Sequence, residues 1–334
     1  MIEKVSEFTP PKEWLPTRAS YLIIGSTGLI GSSIAGSISG KDEAYGLSRG
    51  NLDHKNEPIP SFRADAGDKD ALKEILSKVH PNIIIDLAGN TNLEECQGNP
   101  QKAYDQNVGR VISLVSTVFQ LDYNPKPVIL LGSTDYVYGS WGPFTEESPR
   151  KKIQNIHDKV CDYAQTKAMA ERELVTLATR HKIPYVILRF AFPYNQKYRQ
   201  KPGTPIFMFE ALSQGKKITA LTDLKMTITP TQYIPPAINT LVRRRAWEDP
   251  YPIFNIAGPS IYNGFQIAQI CKAELERRGV SVKDDQTRAD LVDHFFEGKA
   301  PRPINGGVLT SKIQKLGIVI PDLKDDIKTF TLPS

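Results

Sequence analysis

The sequence predicts an α/β protein with a doubly wound parallel sheet, followed by a smaller and irregular α/β region. Between residues 20 and 190, short apolar runs alternate with helical patterns, and strands separated by helices of this length favour a parallel sheet. The apolar runs are nearly continuous, as expected for strands covered on both faces. After residue 190, prolines and short segments replace this alternation.

The elements of the first half follow in alternating order. Strands are predicted where apolar runs are bounded by turn residues, at 20–25, 43–48, 82–89, 127–133 and 184–190, with a further β-like segment before Asp65. Helices are predicted at 29–39, 69–79, 100–121 and 158–180. Two later helices, at 233–246 and 264–278, are expected to cross back to the main sheet.

Length and composition restrict the class of protein. A chain of 334 residues is long for one domain, so one large and one small unit are expected. The net charge of +5 is too small to indicate a nucleic-acid partner, because such proteins cluster Lys and Arg. No apolar run approaches the length of a membrane span, so no membrane partner is predicted.

Cysteine usage indicates a reduced compartment. Cys96, Cys161 and Cys271 lie far apart and form no C-x-x-C pair. This pattern predicts a cytoplasmic protein without a disulfide framework and without a metal site. The N-terminal segment is polar and carries charges of both signs, so no signal peptide is predicted.

A glycine-rich turn follows the first strand directly and opens a helix. Gly25, Gly28 and Gly31 have the spacing that permits a tight turn, close approach of a pyrophosphate and close helix–strand packing. The helix N-terminus adds free N–H groups and a positive dipole. This context favours a Rossmann-type dinucleotide site over a purely structural turn. The predicted turn residues are Gly25, Ser26, Thr27, Gly28, Leu29, Ile30 and Gly31.

The end of the second strand indicates which dinucleotide is bound. An NAD site usually has an acid about twenty residues after the turn, whereas Ser48 and Arg49 stand here. Arg49 could pair with a 2′-phosphate, so NADP(H) is predicted, with NAD(H) and a solvent-facing Arg49 as alternatives. Asp65 could accept a hydrogen bond from adenine or serve as a turn residue, and both interpretations stay open. The other predicted cofactor contacts are Ala66, Leu87, Ala88, Gly89 and Asn107.

Tyr163 and Lys167 are the predicted catalytic pair. Four residues apart, they share one face of a helix. A free tyrosine has a pKa of about 10. A neighbouring ammonium is expected to lower it toward a useful acid/base range, and Lys167 could also hold the nicotinamide ribose. The alternative is an exposed helix pair without chemistry.

Together these motifs resemble the extended short-chain dehydrogenases/reductases. Five further segments narrow the resemblance to the dTDP-4-dehydrorhamnose reductases and their relatives, over roughly residues 20 to 320. They are STDYVYG (133–139), PFTEESP (143–149), LRFAFPY (188–194), TPTQYIPPAINTLV (229–242) and RPINGGVLTSKIQKLGI (302–318). The change of pattern near residue 190 predicts an NADP-binding domain over 20–190 and a substrate-binding region over 191–334, with some segments crossing back to the main domain. An N-terminal arm over 1–19 lies outside the resemblance.

The residues after the fourth predicted strand distinguish between reaction types. By resemblance, Thr134 is the hydroxyl residue that polarises C4 of the sugar, with Ser133 beside it. Sugar 4,6-dehydratases have an acid pair after this threonine, but here Asp135 is followed by Tyr136. Related epimerase/reductases have a cysteine near the site, and none is expected here. The resemblance therefore implies a 4-keto reductase.

Other segments are predicted to contact the substrate. Phe192 stands where dehydrorhamnose reductases have tryptophan and other nucleotide-sugar enzymes have asparagine. Thr231 is a further candidate, and Arg302 with Asn305 is expected to hold the diphosphate or the nucleotide of the substrate. The alternative for Arg302 is a structural ion pair across the domain interface. The unusual segment 148–162 is expected to reshape the pocket mouth.

The leading hypothesis is an NADPH-dependent reductase of a 4-keto-6-deoxy nucleoside-diphosphate sugar, in deoxysugar biosynthesis. One alternative is a non-catalytic NADP-binding regulatory subunit that resembles that of methionine adenosyltransferase, because fold does not fix function. Another is a nucleotide-sugar epimerase. The predicted helices at 100–121 and 158–180 are rich in apolar positions, so a monomer and a homodimer both remain open.

Overall fold

A computed structural model describes most of the chain, namely residues 18–38, 42–50, 58–148, 161–198, 200–304 and 306–333. Three predictions fall wholly or mainly outside these residues. They concern the N-terminal arm over 1–19, the segment 148–162 and Asn305.

The described residues contain thirteen strands. Seven of them form one parallel sheet: β1 Ser20–Ile24, β2 Glu43–Ser48, β3 Ser61–Arg63, β4 Ile83–Asp86, β5 Val128–Thr134, β6 Tyr185–Phe190 and β11 Ile253–Ile256. The other six form two-stranded pairs: β7 Pro193–Tyr194 with β10 Thr229–Pro230, β8 Ile218–Leu221 with β13 Thr287–Asp290, and β9 Lys225–Thr227 with β12 Ile261–Asn263.

The strand order of the main sheet is β11-β6-β5-β4-β1-β2-β3. The chain runs outward in one direction from β1 to β3 and then in the other from β4 to β11, so the sheet is doubly wound. The order reverses between β1 and β4, and ligands of such sheets bind in the crevice at this point. The predicted fold class is confirmed.

Twelve α-helices connect these strands in the described residues. They are α1 Leu29–Ala35, α2 Lys69–Val79, α3 Leu93–Gly98, α4 Pro100–Tyr104, α5 Arg110–Gln120, α6 Asp162–His181, α7 Thr204–Ser213, α8 Ile234–Arg243, α9 Gly264–Arg277, α10 Val292–Phe295, α11 Ser311–Lys315 and α12 Leu323–Asp326. The helix predicted over 100–121 is interrupted by a π-helical turn, Asp105–Gly109, between α4 and α5. Such turns are frequent at functional sites.

Alternating side chains of the strands separate two cores on the two faces of the main sheet. Ile23, Ile85 and Leu130 point to the face that α8 covers, together with residues of α1 and α11. Their strand neighbours point to the opposite face, which α2, α5 and α6 cover. Burial on both faces explains why the strands are apolar without alternation.

A third core lies in the second half of the chain, where α7 and α9 pack against each other. Other parts of the second half belong to the main sheet, because β11 pairs with β6 and α8 covers one face of the sheet. The prediction that the helix at 264–278 returns to the main sheet is wrong. Its buried residues Ile267, Cys271 and Leu275 belong to the third core.

Candidate active site

The turn after β1 has the close packing that its glycines predict. Gly25 has a φ of +85°, which favours glycine, and its carbonyl oxygen accepts a hydrogen bond from the Gly28 N–H at 3.0 Å. A Cβ added to Gly31 would lie 2.1 Å from that same oxygen. The helix α1 therefore begins as close to β1 as the backbone allows, and the turn opens into a cleft.

This cleft, with a volume of about 300 Å³, lies at the carboxyl ends of β1, β2 and β4. We call it the cofactor cleft. Most of the predicted cofactor residues line it. Its lining is Ile24, Gly25, Thr27, Gly28, Leu47, Ser48, Arg49, Gly50, Ala64, Asp65, Ala66, Leu87, Ala88, Gly89, Gln106 and Arg110.

Seven predicted contacts are not in that lining, and two of them are Tyr163 and Lys167 on α6. Leu29, Ile30 and Gly31 belong to the start of α1, and Ser26 is buried beside Gly46. Asn107 is fully buried and acts on the loop after β4 instead. Its Oδ1 accepts from Asn90 N at 2.7 Å, while its Nδ2 donates to the Asn90 carbonyl at 3.1 Å and to Thr166 Oγ1 at 3.0 Å. Asn107 thus positions the cleft without lining it.

Arg49 and Asp65 face each other across the cofactor cleft. Arg49 Nη1 lies 3.6 Å from Asp65 Oδ2, and both side chains are about half exposed. Asp65 Oδ1 accepts from the Gly67 N–H at 2.8 Å, which is the turn contact predicted as one alternative. Arg49 therefore has a partner and does not face solvent alone. The pair holds the guanidinium only weakly, because an exposed ion pair of this length contributes little stability.

Tyr163 and Lys167 lie side by side on α6, and both are buried, so they are not an exposed helix pair. Lys167 Nζ donates to the Gly132 carbonyl at 2.5 Å. Burial, followed by the charge of Arg110, lowers the pKa of Lys167 to about 8. The Lys167 ammonium has three donors and uses one on Gly132, so it can also donate to the hydroxyl groups of a ligand.

The phenol of Tyr163 does not have the predicted lowered pKa. Burial raises its pKa, and a hydrogen bond with the Thr134 hydroxyl offsets this only in part. The Lys167 ammonium, which was expected to lower this pKa, donates to the Gly132 carbonyl. Tyr163 therefore keeps its proton at neutral pH, which suits a proton donor.

The end of β5 directs neighbouring residues to opposite sides, as the strand period of two requires. Thr134 turns toward Tyr163 and Asp135, and its Oγ1 lies 3.2 Å from Asp135 Oδ1. Ser133 turns away and donates to Glu171 Oε1 at 2.5 Å. Thr134 is thus the hydroxyl at the site, and Ser133 belongs to its support.

Asp135 is a buried carboxyl at the centre of the site. Burial raises its pKa from 3.8 to about 7, with hydrogen bonds from Thr134 and the backbone opposing the shift. Folding therefore favours the protonated form. This group stabilises the fold fully below about pH 4, and the stabilisation is lost as the pH rises through 7.

We expect Asp135→Asn to remove this pH dependence. Between pH 5 and pH 8 the parent protein should lose roughly 2–3 kcal/mol of unfolding free energy relative to the variant, at about 1.36 kcal/mol per pKa unit. Urea unfolding of both proteins at the two pH values measures the difference. If the unfolding free energies of the two proteins differed by the same amount at pH 5 and pH 8, Asp135 would have the same pKa in the folded and unfolded states.

A second cleft of about 250 Å³ lies beyond this centre, and we call it the substrate pocket. It is mostly apolar, and it includes the predicted residues Tyr136, Phe192 and Arg302. The Tyr136 ring lies 6.1 Å from that of Tyr163 and 5.8 Å from that of Phe192. The other lining residues are Thr204, Phe207, Met208, Thr219, Leu221, Leu224, Met226, Gly264, Phe295 and Phe296.

Phe192 is held in an unusual backbone conformation. Its φ is +38°, in the left-handed region that a bulky residue rarely adopts. Strain of this kind persists where the surrounding structure enforces it, often at functional sites. Here it places an aromatic ring beside Tyr136 in the pocket.

Arg302 forms the ion pair that the sequence offered as the structural alternative. It lines the substrate pocket, and its Nη2 lies 2.7 Å from Glu94 Oε1 on α3. Its guanidinium also stacks over Phe296 at 4.2 Å, and Glu94 accepts from the Ala300 N–H at 2.8 Å. Arg302 therefore ties the C-terminal segment to the nucleotide-binding half at the pocket.

Two predictions about the site need correction. Thr231 is fully buried, and its hydroxyl hydrogen-bonds to Ser33 at 2.7 Å and Asn195 at 2.7 Å, outside the described lining of either cleft. A cysteine does lie near the site. Cys161 is buried in one cluster with Tyr163, against which Tyr136 packs. It comes from the start of α6, so the strand-end motif gave no signal of it.

Sequence reasoning also missed Gln106 and Arg110, which line the cofactor cleft. Both follow the predicted helix start and read as ordinary helix residues. The partner of Arg110 is Asp86, at the end of β4, to which Arg110 Nη1 donates. An arginine and an aspartate placed 24 residues apart give no sequence signal of a pair.

The sequence model of the NAD dependent epimerase/dehydratase family matches residues 21–227, more than half of the chain. The chain belongs to this family. The matched residues carry both the glycine turn and the Tyr163–Lys167 pair, so the resemblance to extended short-chain dehydrogenases/reductases is confirmed.

Individual relatives are more distant. A dTDP-4-dehydrorhamnose reductase from Aggregatibacter actinomycetemcomitans is 28% identical over 180 residues, which span 53% of each chain. A probable low-salt glycan biosynthesis reductase from Haloferax volcanii is 25% identical over 91% of this chain and 95% of its own. The chain thus spans only about half the length of the first of these relatives.

Solved structures share the fold at low identity. The dTDP-4-dehydrorhamnose reductase of Bacillus anthracis, solved with NADP, superposes with a TM-score of 0.72 at 16% identity and covers 96% of this chain and 99% of its own. The UDP-glucose 4-epimerase of Thermotoga maritima, solved with UDP-glucose, gives 0.73 at 17%, covering 92% and 96%.

The length and hydropathy of the helices also bear on whether the chain crosses a membrane. Within the described residues, no helix combines the length and the apolar character that crossing a membrane requires.

Proposed function

We propose that this protein is an NAD(P)-dependent oxidoreductase that reduces the C4 carbonyl of a 4-keto-6-deoxy nucleoside-diphosphate sugar, with NADPH as the preferred cofactor. The observation that carries the proposal is that buried Tyr163 and Lys167 on α6 lie beside Thr134 at the end of β5. Family membership and the reductase relatives support the same reaction class. Oxidation of NADPH by such a sugar tests it.

The residues present fit a nicotinamide dinucleotide. The cofactor cleft begins at a helix N-terminus with a glycine turn, which suits a diphosphate. It also contains buried polar atoms of Gln106 and Arg110 that have no hydrogen-bond partner among the described residues. When bound, the dinucleotide supplies the hydride. Lys167 holds the nicotinamide ribose from α6.

The protein's own contribution to the reaction is proton donation. Thr134 and Tyr163 present two hydroxyls to the same carbonyl oxygen, and this oxygen becomes an alkoxide on reduction. The Tyr163 hydroxyl donates its proton to that oxygen, and the Thr134 hydroxyl stabilises the developing charge by a hydrogen bond.

The substrate pocket favours reduction over dehydration. Loss of water from the sugar needs a second acid next to Asp135, where Tyr136 stands. Burial raises the pKa of Tyr136, so its phenol stays un-ionised and cannot replace the missing carboxylate. The apolar rings of Tyr136 and Phe192 instead suit the methyl group of a 6-deoxy sugar.

Arg302 is the cation at the pocket that suits the substrate's diphosphate. Its Nη2 pairs with Glu94, its Nη1 donates to the Ala300 carbonyl, and its plane stacks on Phe296. Arginine offers five donors in a planar fork, so donors remain for phosphate oxygens. A diphosphate placed there points the sugar toward Tyr163.

Arg49 determines the cofactor preference in this proposal. A 2′-phosphate at this position competes with Asp65 for the guanidinium, because the existing pair is exposed and 3.6 Å long. We expect Arg49→Ala to weaken NADPH binding about tenfold while NADH binding changes by less than about twofold.

Calorimetric titration of both cofactors measures these affinities. Arg172→Ala is the control, because Arg172 is an exposed arginine on α6 outside the described lining of the cofactor cleft. Equal affinities of the parent protein for NADPH and NADH would contradict the assigned preference.

A further inference from the structure

Arg110 is a buried cation in the wall of the cofactor cleft. Its side chain is only 5% exposed, and its Nη1 donates to both carboxylate oxygens of Asp86. Within the part of the chain that the structure describes, its Nε and Nη2 have no hydrogen-bond partner. Buried donors without a partner are costly and rare in folded proteins, so these two N–H groups point to a ligand.

The position of Arg110 indicates which part of the ligand it meets. A Cβ added to Gly67 would lie 3.8 Å from Arg110 Cβ, and one added to Gly89 would lie 3.7 Å from Nη2. The side chain therefore lies between the loop that carries Asp65 and the loop after β4. In the proposed site the glycine turn contacts the phosphates and Tyr163 lies at the nicotinamide. Arg110, beside the loop that carries Asp65, therefore lies at the adenosine end of the dinucleotide.

A second polar atom lies in the same wall. Gln106 Oε1 is buried and likewise has no hydrogen-bond partner within the described residues. Gln106 and Arg110 are connected by the π-helical turn Asp105–Gly109, and both line the cofactor cleft. One acceptor and two donors in the same wall match adenosine, which carries ring-nitrogen acceptors, an amino donor and ribose hydroxyls.

We propose that Arg110 and Gln106 bind the adenosine half of the dinucleotide, so that the Asp86–Arg110 pair is part of the cofactor site. Asp86 neutralises the buried guanidinium and orients it, while Nε and Nη2 donate to the ligand. This inference rests on the proposed function only in requiring that a nicotinamide dinucleotide occupies the cleft. It does not depend on the sugar.

The test uses the double variant Asp86→Val/Arg110→Met, because replacing both partners leaves no unpaired buried charge. Calorimetry measures the binding of ADP-ribose, reduced nicotinamide mononucleotide and NADPH to the full chain. We expect ADP-ribose and NADPH to bind about tenfold to a hundredfold more weakly. The mononucleotide should change by less than about twofold. Gln106→Leu should weaken ADP-ribose binding by about threefold to tenfold.

Two further variants keep the result interpretable. Arg110→Lys retains a cation for Asp86 but lacks the planar fork, so it should fold and still lose ADP-ribose affinity. Glu274→Met/Arg278→Met removes an ion pair beside the third core and should leave the binding of all three ligands unchanged. Thermal unfolding establishes that each variant is folded.

The possible results separate this inference from the proposed function. If the parent protein binds no dinucleotide, the proposed function fails, and this inference fails with it. If the parent binds but folded Arg110 variants bind ADP-ribose equally well, only this inference is overturned. If the variants bind ADP-ribose and the mononucleotide more weakly by the same factor, this inference is also overturned, because that result indicates a general distortion of the cleft.

Discussion

Tyr163→Phe should lower the turnover of a keto-sugar by roughly 10²–10⁴-fold, the usual contribution of a positioned proton donor. The phenol is buried, its pKa is raised, and the Thr134 hydroxyl is its hydrogen-bond partner. Removing one oxygen takes away the proton without changing the ring that packs against Tyr136. Steady-state kinetics with saturating cofactor measure the effect.

The affinity for cofactor should change little in this variant, since the hydroxyl serves the substrate oxygen. Tyr198→Phe is the matched control, because its hydroxyl contacts Gln200 and lies outside the described lining of both clefts. Full activity of Tyr163→Phe would show that another group donates the proton. Buried Cys161, which lies in the same cluster, would then be the next candidate.

The second large effect concerns the support of α6. Arg189 and Glu171 form a fully buried pair, with contacts of 3.0 Å and 2.7 Å, that joins β6 to the helix carrying Tyr163. Ser133 donates to the same carboxylate. We expect Glu171→Leu to lower the unfolding free energy by about 3–5 kcal/mol, because it leaves the Arg189 cation buried and unpaired.

Denaturant unfolding measures this loss. The double variant Glu171→Leu/Arg189→Met should recover most of the stability, since neither charge then remains. Arg172→Met, which removes an exposed cation from the next position, should change the unfolding free energy by less than about 1 kcal/mol. Equal stability of Glu171→Leu and the parent protein would mean that Arg189 finds another partner.

The fold was predictable because burial on both sheet faces produces apolar runs that can be read directly. The strand Glu43–Ser48 and the helix Lys69–Val79 have the predicted bounds. The glycine turn was predictable for a similar reason, since its geometry excludes side chains at Gly25 and Gly31. Both are local constraints, and local constraints leave marks in the sequence.

Contacts between distant segments were not predictable. The strand period places Ser133 and Thr134 on opposite sides, but nothing local says which side holds the site. Cys161 reaches the site only because α6 starts beside it. The raised pKa of Tyr163 comes from burial, which the spacing of Tyr163 and Lys167 leaves undetermined.

The most direct test of the proposed function is NADPH oxidation by the purified parent protein against a panel of 4-keto-6-deoxy nucleoside-diphosphate sugars, with the products identified by NMR. We predict stoichiometric oxidation of NADPH and formation of a 4-hydroxy sugar, abolished or strongly reduced in Tyr163→Phe. Interconversion of C4 epimers without net NADPH oxidation would instead indicate an epimerase. Tight NADPH binding without turnover of any sugar in the panel would contradict the reductase and favour a regulatory subunit.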